Sequence, residues 1–327
     1  MNENFLVSIL VPVYGVEDYI ERCSRSLFEQ TYKNIEYIFV NDSTKDNSID
    51  ILCDIIKQYP QIKDKIKIIN HERNIGLSGA RITALKHSSG KYISWVDSDD
   101  YVEPDMIERM VKKVVETGAD IVTCNTIVHY NGYEDKLITP QDIDSMEMVL
   151  LMLQKKIPVS VWARLIKKEL YTKYNIAPLL GVNNGEDFQV MPRLVYYASI
   201  SNIDGMLYHY NCCNGNAYTF KFSEKRADDV WTSHIVLKDF FSNKENLYYK
   251  ALLETEVKTL TKDLVNSCRQ NMKDYYEVVR RRIQEVGKGY INSLPISSRI
   301  VYYLKYFTIV KIFVTIVDLF WDKNKRV

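Results

Sequence analysis

The sequence predicts an α/β fold with a Rossmann-like, mostly parallel central sheet, flanking helices and a helical carboxyl-terminal region. Three observations lead to this prediction. Short β-branched runs alternate with helical patterns through the first 130 residues, as in βαβ units. Polar residues follow the predicted strands, at the edge where α/β sheets bind ligands. Helical patterns rich in Lys, Glu and Asp fill residues 223–287.

The elements follow from the spacing of apolar side chains. Strands are predicted at Leu6–Val13, Ile35–Val40, Lys67–Asn70, Tyr92–Val96 and Asp120–Val128. Helices are predicted at Asp18–Gln30, Asn47–Tyr59, Ser78–His87 and Pro104–Thr117. Pro104 suits the first position of the fourth helix, and Gly118 follows its end.

Composition excludes several classes of protein. The 327 residues are 46% hydrophobic and 26% charged, which is an ordinary globular balance. The chain has 43 basic and 42 acidic side chains and so almost no net charge. We therefore predict no nucleic-acid partner. Six cysteines without a C-x-x-C pair indicate reduced packing residues and a cytoplasmic chain. No segment is a clean transmembrane span.

The last segment predicts an amphipathic helix. Its polar side chains gather on one arc of the helical wheel, namely Lys305, Thr308, Lys311, Thr315 and Asp318. Two interpretations stay open, a helix in a membrane interface and a helix docked on the domain by its apolar face. The basic tail, Lys323, Lys325 and Arg326, favours an anionic membrane surface met through residues 296–327.

Four polar loops follow the first four strands and are expected to line one cleft. They are Val13-Tyr14-Gly15, Asn41-Asp42-Ser43-Thr44, Arg73-Asn74-Ile75-Gly76 and Asp97-Ser98-Asp99-Asp100. In the fourth loop, three carboxylates within four positions repel one another unless a cation joins them. Without a neighbouring His or Cys, they form an oxygen site suited to Mg²⁺ or Mn²⁺. The other interpretation is a solvated acidic turn that caps the next helix.

Other loop residues have candidate roles beside ordinary structural ones. Asp42 can accept the imide N–H of a uracil, or can form an Asx turn. Tyr14 can stack on a base, and Arg73 or Arg81 can meet ribose or phosphate, although such arginines are more often surface groups. Further along, the carboxylates of Glu186-Asp187 suit a general base or a helix amino terminus.

Taken in order, these motifs resemble those of the family 2 glycosyltransferases, which have the GT-A nucleotide-diphospho-sugar transferase fold. The matching stretches are Val7–Tyr14, Glu29–Glu36, Val40–Ser48, Asn74–Gly76 with Ala80-Arg81, and Tyr92–Asp100. The resemblance is strong over residues 5–130. It is weaker from residue 131 to Tyr218, a range in which Trp162 and Glu186-Asp187 match the acceptor half of the family. Beyond Tyr218 there is no resemblance.

The resemblance implies an inverting, metal-dependent hexosyl- or N-acetylhexosaminyltransferase. It would move a sugar from a UDP-sugar donor to a hydroxyl of a glycan acceptor, lipid-linked, in cell-surface polysaccharide biosynthesis. The implied donor site is Pro12, Val13, Tyr14, Asp42, Asn74, Arg81, Asp97 and Ser98, with Asp42 on uracil and Asp97 near the ribose. Asp99 would bind Mn²⁺ or Mg²⁺, and Asp187 would be the catalytic base.

The same resemblance implies a division of the chain. Residues 1–218 would form the GT-A catalytic domain, with a nucleotide-sugar half at 1–130 and an acceptor half at 131–218. Residues 219–327 lie beyond the resemblance, and their own helical patterns predict a helical region with the amphipathic terminal helix. The expected location is the cytoplasm, or the cytoplasmic face of the plasma membrane as a peripheral protein.

The chain departs from the family pattern at several positions. The usual acidic-acidic-Gly-Ser-Thr run reads Asn41-Asp42-Ser43-Thr44-Lys45, so one carboxylate and the flexible glycine are missing. Asn211 stands where relatives often carry an Arg after Leu207–Tyr210. His209 is a substitute donor, a second metal ligand or a structural residue.

Three other functions are alternatives to glycosyl transfer. A nucleotidyltransferase or dinucleotide enzyme on the same type of sheet is disfavoured, because neither G-x-G-x-x-G nor G-x-x-x-x-G-K-[ST] occurs. A hydrolase would use Gly76-Leu-Ser78-Gly-Ala80 as an imperfect nucleophile elbow. A non-catalytic protein would bind a nucleotide sugar without turnover.

Overall fold

The computed structural model describes residues 4–130, 135–214, 222–286, 290–291, 294, 296–304 and 306–324. By its internal contacts the chain divides into two compact units. One is Met1–Val149 with Pro158–Phe220, and the other is Leu150–Ile157 with Lys221–Val327. The expected boundary at residue 218, the arc residue Lys305 and the tail residues Lys325 and Arg326 lie outside the described residues.

The strands are β1 (Val7–Val13), β2 (Ile35–Asn41), β3 (Ile66–Asn70), β4 (Tyr92–Trp95), β5 (Tyr101–Val102), β6 (Ile121–His129), β7 (Lys136–Ile138), β8 (Arg164–Lys167) and β9 (Ile200–Asn211). The α-helices are α1 (Ile20–Phe28), α2 (Ser48–Lys57), α3 (Leu77–His87), α4 (Met106–Thr117), α5 (Ser145–Leu153), α6 (Lys168–Lys173), α7 (Glu186–Tyr196), α8 (Glu224–Phe241), α9 (Asn246–Arg269), α10 (Lys273–Val286), α11 (Ile296–Tyr303) and α12 (Phe307–Asn324).

The first unit contains a sheet in the order β3-β2-β1-β4-β8-β6-β9-β5, with β7 paired to β6. β1 to β4 pair in parallel, as the βαβ pattern predicts. The sheet is mixed because β8 runs antiparallel between β4 and β6, and β5 and β7 run antiparallel to β9 and β6. The predicted α/β sheet with flanking helices, and the helical region after it, are confirmed.

Strand register brings the polar loops to one edge of the sheet. Val13 at the end of β1 pairs with Asn41 at the end of β2, and Leu10 pairs with Trp95 at the end of β4. The three strands therefore finish close together, and the loops that follow them share one side of the sheet.

The strand and helix beside this edge are anchored in an apolar core. Every residue of β1 is buried, as expected for a parallel strand covered by helices on both faces. α1 packs its apolar face, including Ile20, Cys23 and Leu27, into the same core. Gly118 ends α4 in the left-handed conformation (φ 71°), which a glycine adopts without a steric penalty.

The second unit is helical, and its described part contains the end of α5 with the residues up to Ile157, and α8 to α12. Leu260 and Leu264 of α9 pack with Tyr276 and Val279 of α10 in its apolar core. Among the described residues, no helix combines the length and apolar character needed to cross a membrane.

Candidate active site

A cavity of about 450 Å³ lies at the carboxyl ends of β1, β2 and β4. Eight of the residues predicted for the donor and metal sites line it, namely Pro12, Val13, Tyr14, Asp42, Asn74, Asp97, Ser98 and Asp99. The other two predicted residues, Arg81 and Asp187, do not line the cavity, and neither does Arg73, which is exposed. The structure therefore brings together loops that lie more than 80 positions apart in sequence.

Asp42 fastens the third loop to the second. One carboxylate oxygen accepts hydrogen bonds from the His71 ring (2.8 Å) and the Ile75 N–H (2.9 Å), and the other accepts the Gly76 N–H (2.8 Å). Asp42 is only 3% exposed. A buried carboxylate with three donors shapes the cavity wall as well as facing into it.

Ser43 takes the place of the family's flexible glycine, and it does so in the left-handed conformation (φ 57°). This conformation costs an L-residue roughly 1–2 kcal/mol. The Asn41 side chain accepts the Thr44 N–H (2.9 Å), and Thr44 in turn accepts the Gly15 N–H (2.9 Å). The turn is thus kept without glycine, and it holds the first loop in place.

Asp100 is the anchor of the acidic turn. Its carboxylate accepts the Tyr208 hydroxyl (2.6 Å) and the Asn211 N–H (2.8 Å) from β9. Burial, with Asp99 and Asp97 nearby, raises the pKa of Asp100 well above its usual range. Both of its oxygens are engaged by the protein, so Asp100 fixes the turn instead of facing a ligand.

Asp99 has the features expected of a single metal ligand. One carboxylate oxygen accepts a hydrogen bond from the Asn214 side chain (2.9 Å). Burial and the neighbouring Asp97 raise the pKa of Asp99, which means that its negative charge lacks compensation. Among the described residues, no three His, Cys, Asp or Glu side chains form a ligand set. A cation here would take Asp99 and complete its shell with phosphate and water oxygens.

Arg81 connects the cavity wall to the predicted base. It lies 3.1 Å from Asp97, 3.7 Å from Glu186 and 3.7 Å from Asp187, and it is 3% exposed. Burial alone would lower the pKa of Arg81, but these three carboxylates raise it, so the guanidinium stays charged. Arg81 therefore contacts the cavity-lining residue Asp97 but does not itself line the cavity.

Asp187 is held at one oxygen only. Its Oδ2 accepts the Val161 N–H (3.1 Å), while Oδ1 accepts no hydrogen bond from the described residues and faces Arg81. Burial raises the pKa of Asp187, and Arg81 opposes that shift. Asp187 thus has a fixed orientation, and its Oδ1 is buried beside Arg81 without a hydrogen-bond donor among the described residues.

Arg164 fixes the loop that orients Asp187. Its guanidinium donates to the carbonyl oxygens of Ser160 and Trp162 and to the Ser160 hydroxyl. Burial lowers the pKa of Arg164 to about 10, so it remains cationic at neutral pH. Val161 lies between the two carbonyls that Arg164 binds, and its N–H thereby keeps its direction toward Asp187.

His209 lies outside the cavity. Its ring bonds Glu103 (2.8 Å) and His129 (2.9 Å), and it stacks on Tyr101 with ring centroids 4.2 Å apart. These contacts favour the structural interpretation of His209. Asn211, in place of the family's Arg, donates to the Asp99 carbonyl (3.3 Å) and supports the acidic turn.

Sequence reasoning missed five residues of the cavity wall, Val16, Leu77, Asn183, Tyr210 and Asn214. The Asn183 side chain accepts the N–H and the hydroxyl of Ser78 (3.1 and 2.9 Å), and so joins a distant loop to the start of α3. This contact also occupies the serine of the suggested nucleophile elbow. Because an isolated Asn or Tyr carries no local pattern, no sequence signal marks Asn183, Tyr210 or Asn214.

Comparison with known proteins agrees with this geometry. The profile of Glycosyl transferase family 2 matches residues 8–171. Glycosyltransferase GlyA of Streptococcus pneumoniae is 32% identical over 245 residues, which are 69% of this chain and 32% of GlyA. The putative glycosyltransferase EpsH of Bacillus subtilis is 32% identical over 212 residues, 62% of this chain and 60% of EpsH. The chain therefore matches less than two thirds of the length of either relative.

Solved structures show the same fold. TarS of S. aureus, residues 1–349 in complex with UDP-GlcNAc, superposes with a TM-score of 0.71 at 17% identity, over 94% of this chain and 88% of TarS. A mannosyltransferase of Pyrobaculum calidifontis, in complex with GDP-Man and Mn²⁺, gives a TM-score of 0.55 at 15% identity, over 97% of this chain and 87% of its own. Together with the profile match over half of its length, these likenesses show that the chain belongs to glycosyltransferase family 2 and has the GT-A fold.

Proposed function

We propose that this chain is an inverting glycosyltransferase that moves a hexose or N-acetylhexosamine from a UDP-sugar to a hydroxyl of a glycan acceptor. The observation that carries the proposal is the 450 Å³ cavity, in which Asp42, Tyr14, Asp97 and Asp99 meet at one sheet edge. The relatives support the reaction class, since GlyA and EpsH are named as glycosyltransferases.

The donor is proposed to lie with its base between Tyr14 and Asp42. Tyr14 is 54% exposed at the cavity wall and offers a ring face, while Asp42 offers a carboxylate to an imide N–H. Asp97, held by Arg81, is assigned to the ribose. TarS supports a UDP-linked donor, because its structure holds UDP-GlcNAc.

Asp99 is proposed to hold Mn²⁺ or Mg²⁺ together with the donor diphosphate. Its raised pKa and its position in the cavity wall fit a hard cation. A bound divalent ion offsets the negative charge that grows on the departing diphosphate. The Mn²⁺ complex of the mannosyltransferase supports this assignment.

Asp187 is proposed to take the proton from the acceptor hydroxyl at Oδ1. Val161 holds the other oxygen, and Arg164 fixes Val161, so the accepting atom has a set direction. Arg81 stabilises the ionised form before the proton arrives. The attacking oxygen then approaches the anomeric carbon on the face opposite the diphosphate, which inverts that centre.

A donor screen tests the proposal. UDP release is measured for a panel of UDP-sugars with Mn²⁺ or Mg²⁺, for the wild type, Asp99→Asn and the exposed control Glu116→Gln. We expect Asp99→Asn to lose about 100-fold or more in rate and the control to lose none. Unchanged release from Asp99→Asn refutes the metal assignment. UDP binding without release, across all donors and a broad acceptor panel, indicates a non-catalytic protein.

The base assignment has its own test. Asp187→Asn should abolish transfer while leaving UDP binding, measured by thermal shift, close to that of the wild type, because Asp187 does not line the cavity. Full activity of Asp187→Asn contradicts the assignment.

The acceptor is proposed to be a lipid-linked glycan in cell-surface polysaccharide biosynthesis, with the enzyme on the cytoplasmic side of the plasma membrane. The expected supply of nucleotide sugars in the cytoplasm and the free state of all six cysteines support this placement. Transfer to a short glycan on a lipid carrier, but not to the same glycan released from it, is the expected result.

A further inference from the structure

Charge is distributed unevenly along a chain that is nearly neutral overall. Residues 286–327 carry seven basic and two acidic side chains, whereas residues 1–285 carry 36 basic and 40 acidic ones. Between Val286 and Val317 there is no acidic residue at all. The last segment is therefore cationic, while the rest of the chain is slightly anionic.

The same segment exposes an unusual number of large apolar side chains. Among the described residues, eight of the seventeen such side chains that are exposed fall within residues 296–317. On α11 they are Ile296, Ile300 and Tyr303, and on α12 they are Ile309, Ile312, Ile316 and Val317, with Tyr306 between the helices. Spacings of three and four positions place the isoleucines of each helix in one row.

These rows are not faces turned toward the core. The opposite sides of the two helices already pack into the second unit, where Val301, Val310 and Val314 are 0–6% exposed in one apolar cluster. In contrast, Ile312 is 56% exposed and Ile316 is 48% exposed. One side of each helix is therefore docked, as the second interpretation predicts, and the other side stays uncovered.

The positive charge of residues 286–327 indicates which kind of partner binds the exposed rows. A second copy of this chain would bring another cationic segment against the first, and like charges oppose such a contact. An anionic lipid surface supplies apolar acyl chains to the isoleucines and negative headgroups to the basic side chains. Tyrosines beside the rows, at 65% and 69% exposure for Tyr303 and Tyr306, suit the boundary between headgroups and acyl chains.

We infer that α11 and α12 form a docking surface for an anionic lipid bilayer, with the isoleucine rows in the headgroup-acyl boundary. Binding combines apolar burial with attraction of the basic segment, and neither alone anchors the chain firmly. This inference names the membrane contact residues and does not depend on the transfer reaction proposed above. A protein that binds vesicles without releasing UDP would still satisfy it.

Vesicle co-sedimentation of the full chain tests the inference. The vesicles are phosphatidylcholine alone, or phosphatidylcholine with about 30% phosphatidylglycerol, at ionic strengths of about 0.1 and 0.5 M. The variant is Ile312→Gln with Ile316→Gln. The matched control is Ile235→Gln with Leu247→Gln, which changes two residues of the same unit that are 40% and 44% exposed. Thermal unfolding confirms that both double variants fold.

We expect the wild type to bind the anionic vesicles in preference to the neutral ones and to be released by salt. The α12 variant should lose about tenfold or more in partition coefficient, and the control should lose none. Three results overturn the inference: no binding by the wild type, equal binding to neutral vesicles, or an equal loss in the control. A dimer in sedimentation equilibrium that the α12 variant abolishes, without vesicle binding, assigns the rows to a second copy instead.

Discussion

Replacing Glu186 with Gln removes a carboxyl group that the fold disfavours in its ionised form. Glu186 is 7% exposed, and its pKa is raised by burial and by Asp187, while Arg81 lowers it. The folded pKa therefore lies above the unfolded value near 4.5. Between these two values the folded protein keeps a proton that the unfolded chain has released. The free energy of unfolding accordingly falls as the pH rises through this window.

The size of the effect follows from the width of the window. Each pH unit costs about 1.4 kcal/mol of folding free energy. Burial and Asp187 raise the pKa of Glu186 from 4.5 to about 8, so the window spans about 3.5 pH units. Glu186→Gln should therefore unfold at about pH 8.5 with a free energy up to about 5 kcal/mol higher than that of the wild type. At about pH 4, where the wild-type carboxyl is neutral in both states, the two proteins should be nearly equal.

Urea unfolding at a series of pH values measures this difference, with the exposed Glu116→Gln as the control. A Gln variant that gains nothing at the upper pH refutes the reasoning, because Arg81 would then compensate the ionised Glu186 fully. UDP release by the same variant should stay within about tenfold of the wild type if Asp187 is the base. If Glu186→Gln is inactive while Asp187→Asn is active, then Glu186 and not Asp187 is the catalytic base.

Three further outcomes are expected. Asp42→Ala should lower the free energy of unfolding by about 2–4 kcal/mol, because it leaves two loop N–H groups without their acceptor, and a loss below about 1 kcal/mol in urea unfolding contradicts this. Ser43→Gly should raise the free energy of unfolding by about 0.5–1 kcal/mol, since the strain at φ 57° exceeds the entropic cost of glycine; a destabilised variant in the same assay argues against that strain. Arg164→Met should lower kcat by about tenfold or more with little change in the donor KM, because it frees the loop that orients Asp187. Steady-state kinetics with unchanged kcat would show that the loop keeps its shape without the guanidinium.

Local patterns were enough to predict the first half of the sheet. β1 to β4 and α1 to α4 lie within a few residues of the predicted bounds, because each helix or strand carries its own apolar period. The donor loops follow from the same patterns, since the ends of parallel strands meet at one edge. The placement of β8, antiparallel between β4 and β6, was not predicted, because strand neighbours are chosen by contacts between distant segments.

The sequence by itself determined the fold class, the family and eight residues of the cavity wall, because these depend on motifs of a few consecutive residues. Only the tertiary structure decided how these residues are held. Asp100 anchors the acidic turn because Tyr208 and Asn211 arrive from β9, more than 100 positions away, whereas Asp99 lines the cavity. Asp187 is oriented by Val161 and paired with Arg81 for the same reason. The identity of a side chain determines which chemical roles are available to it. Packing of segments that are distant in sequence determines its hydrogen-bond and charge partners, and so which of those roles it can fill.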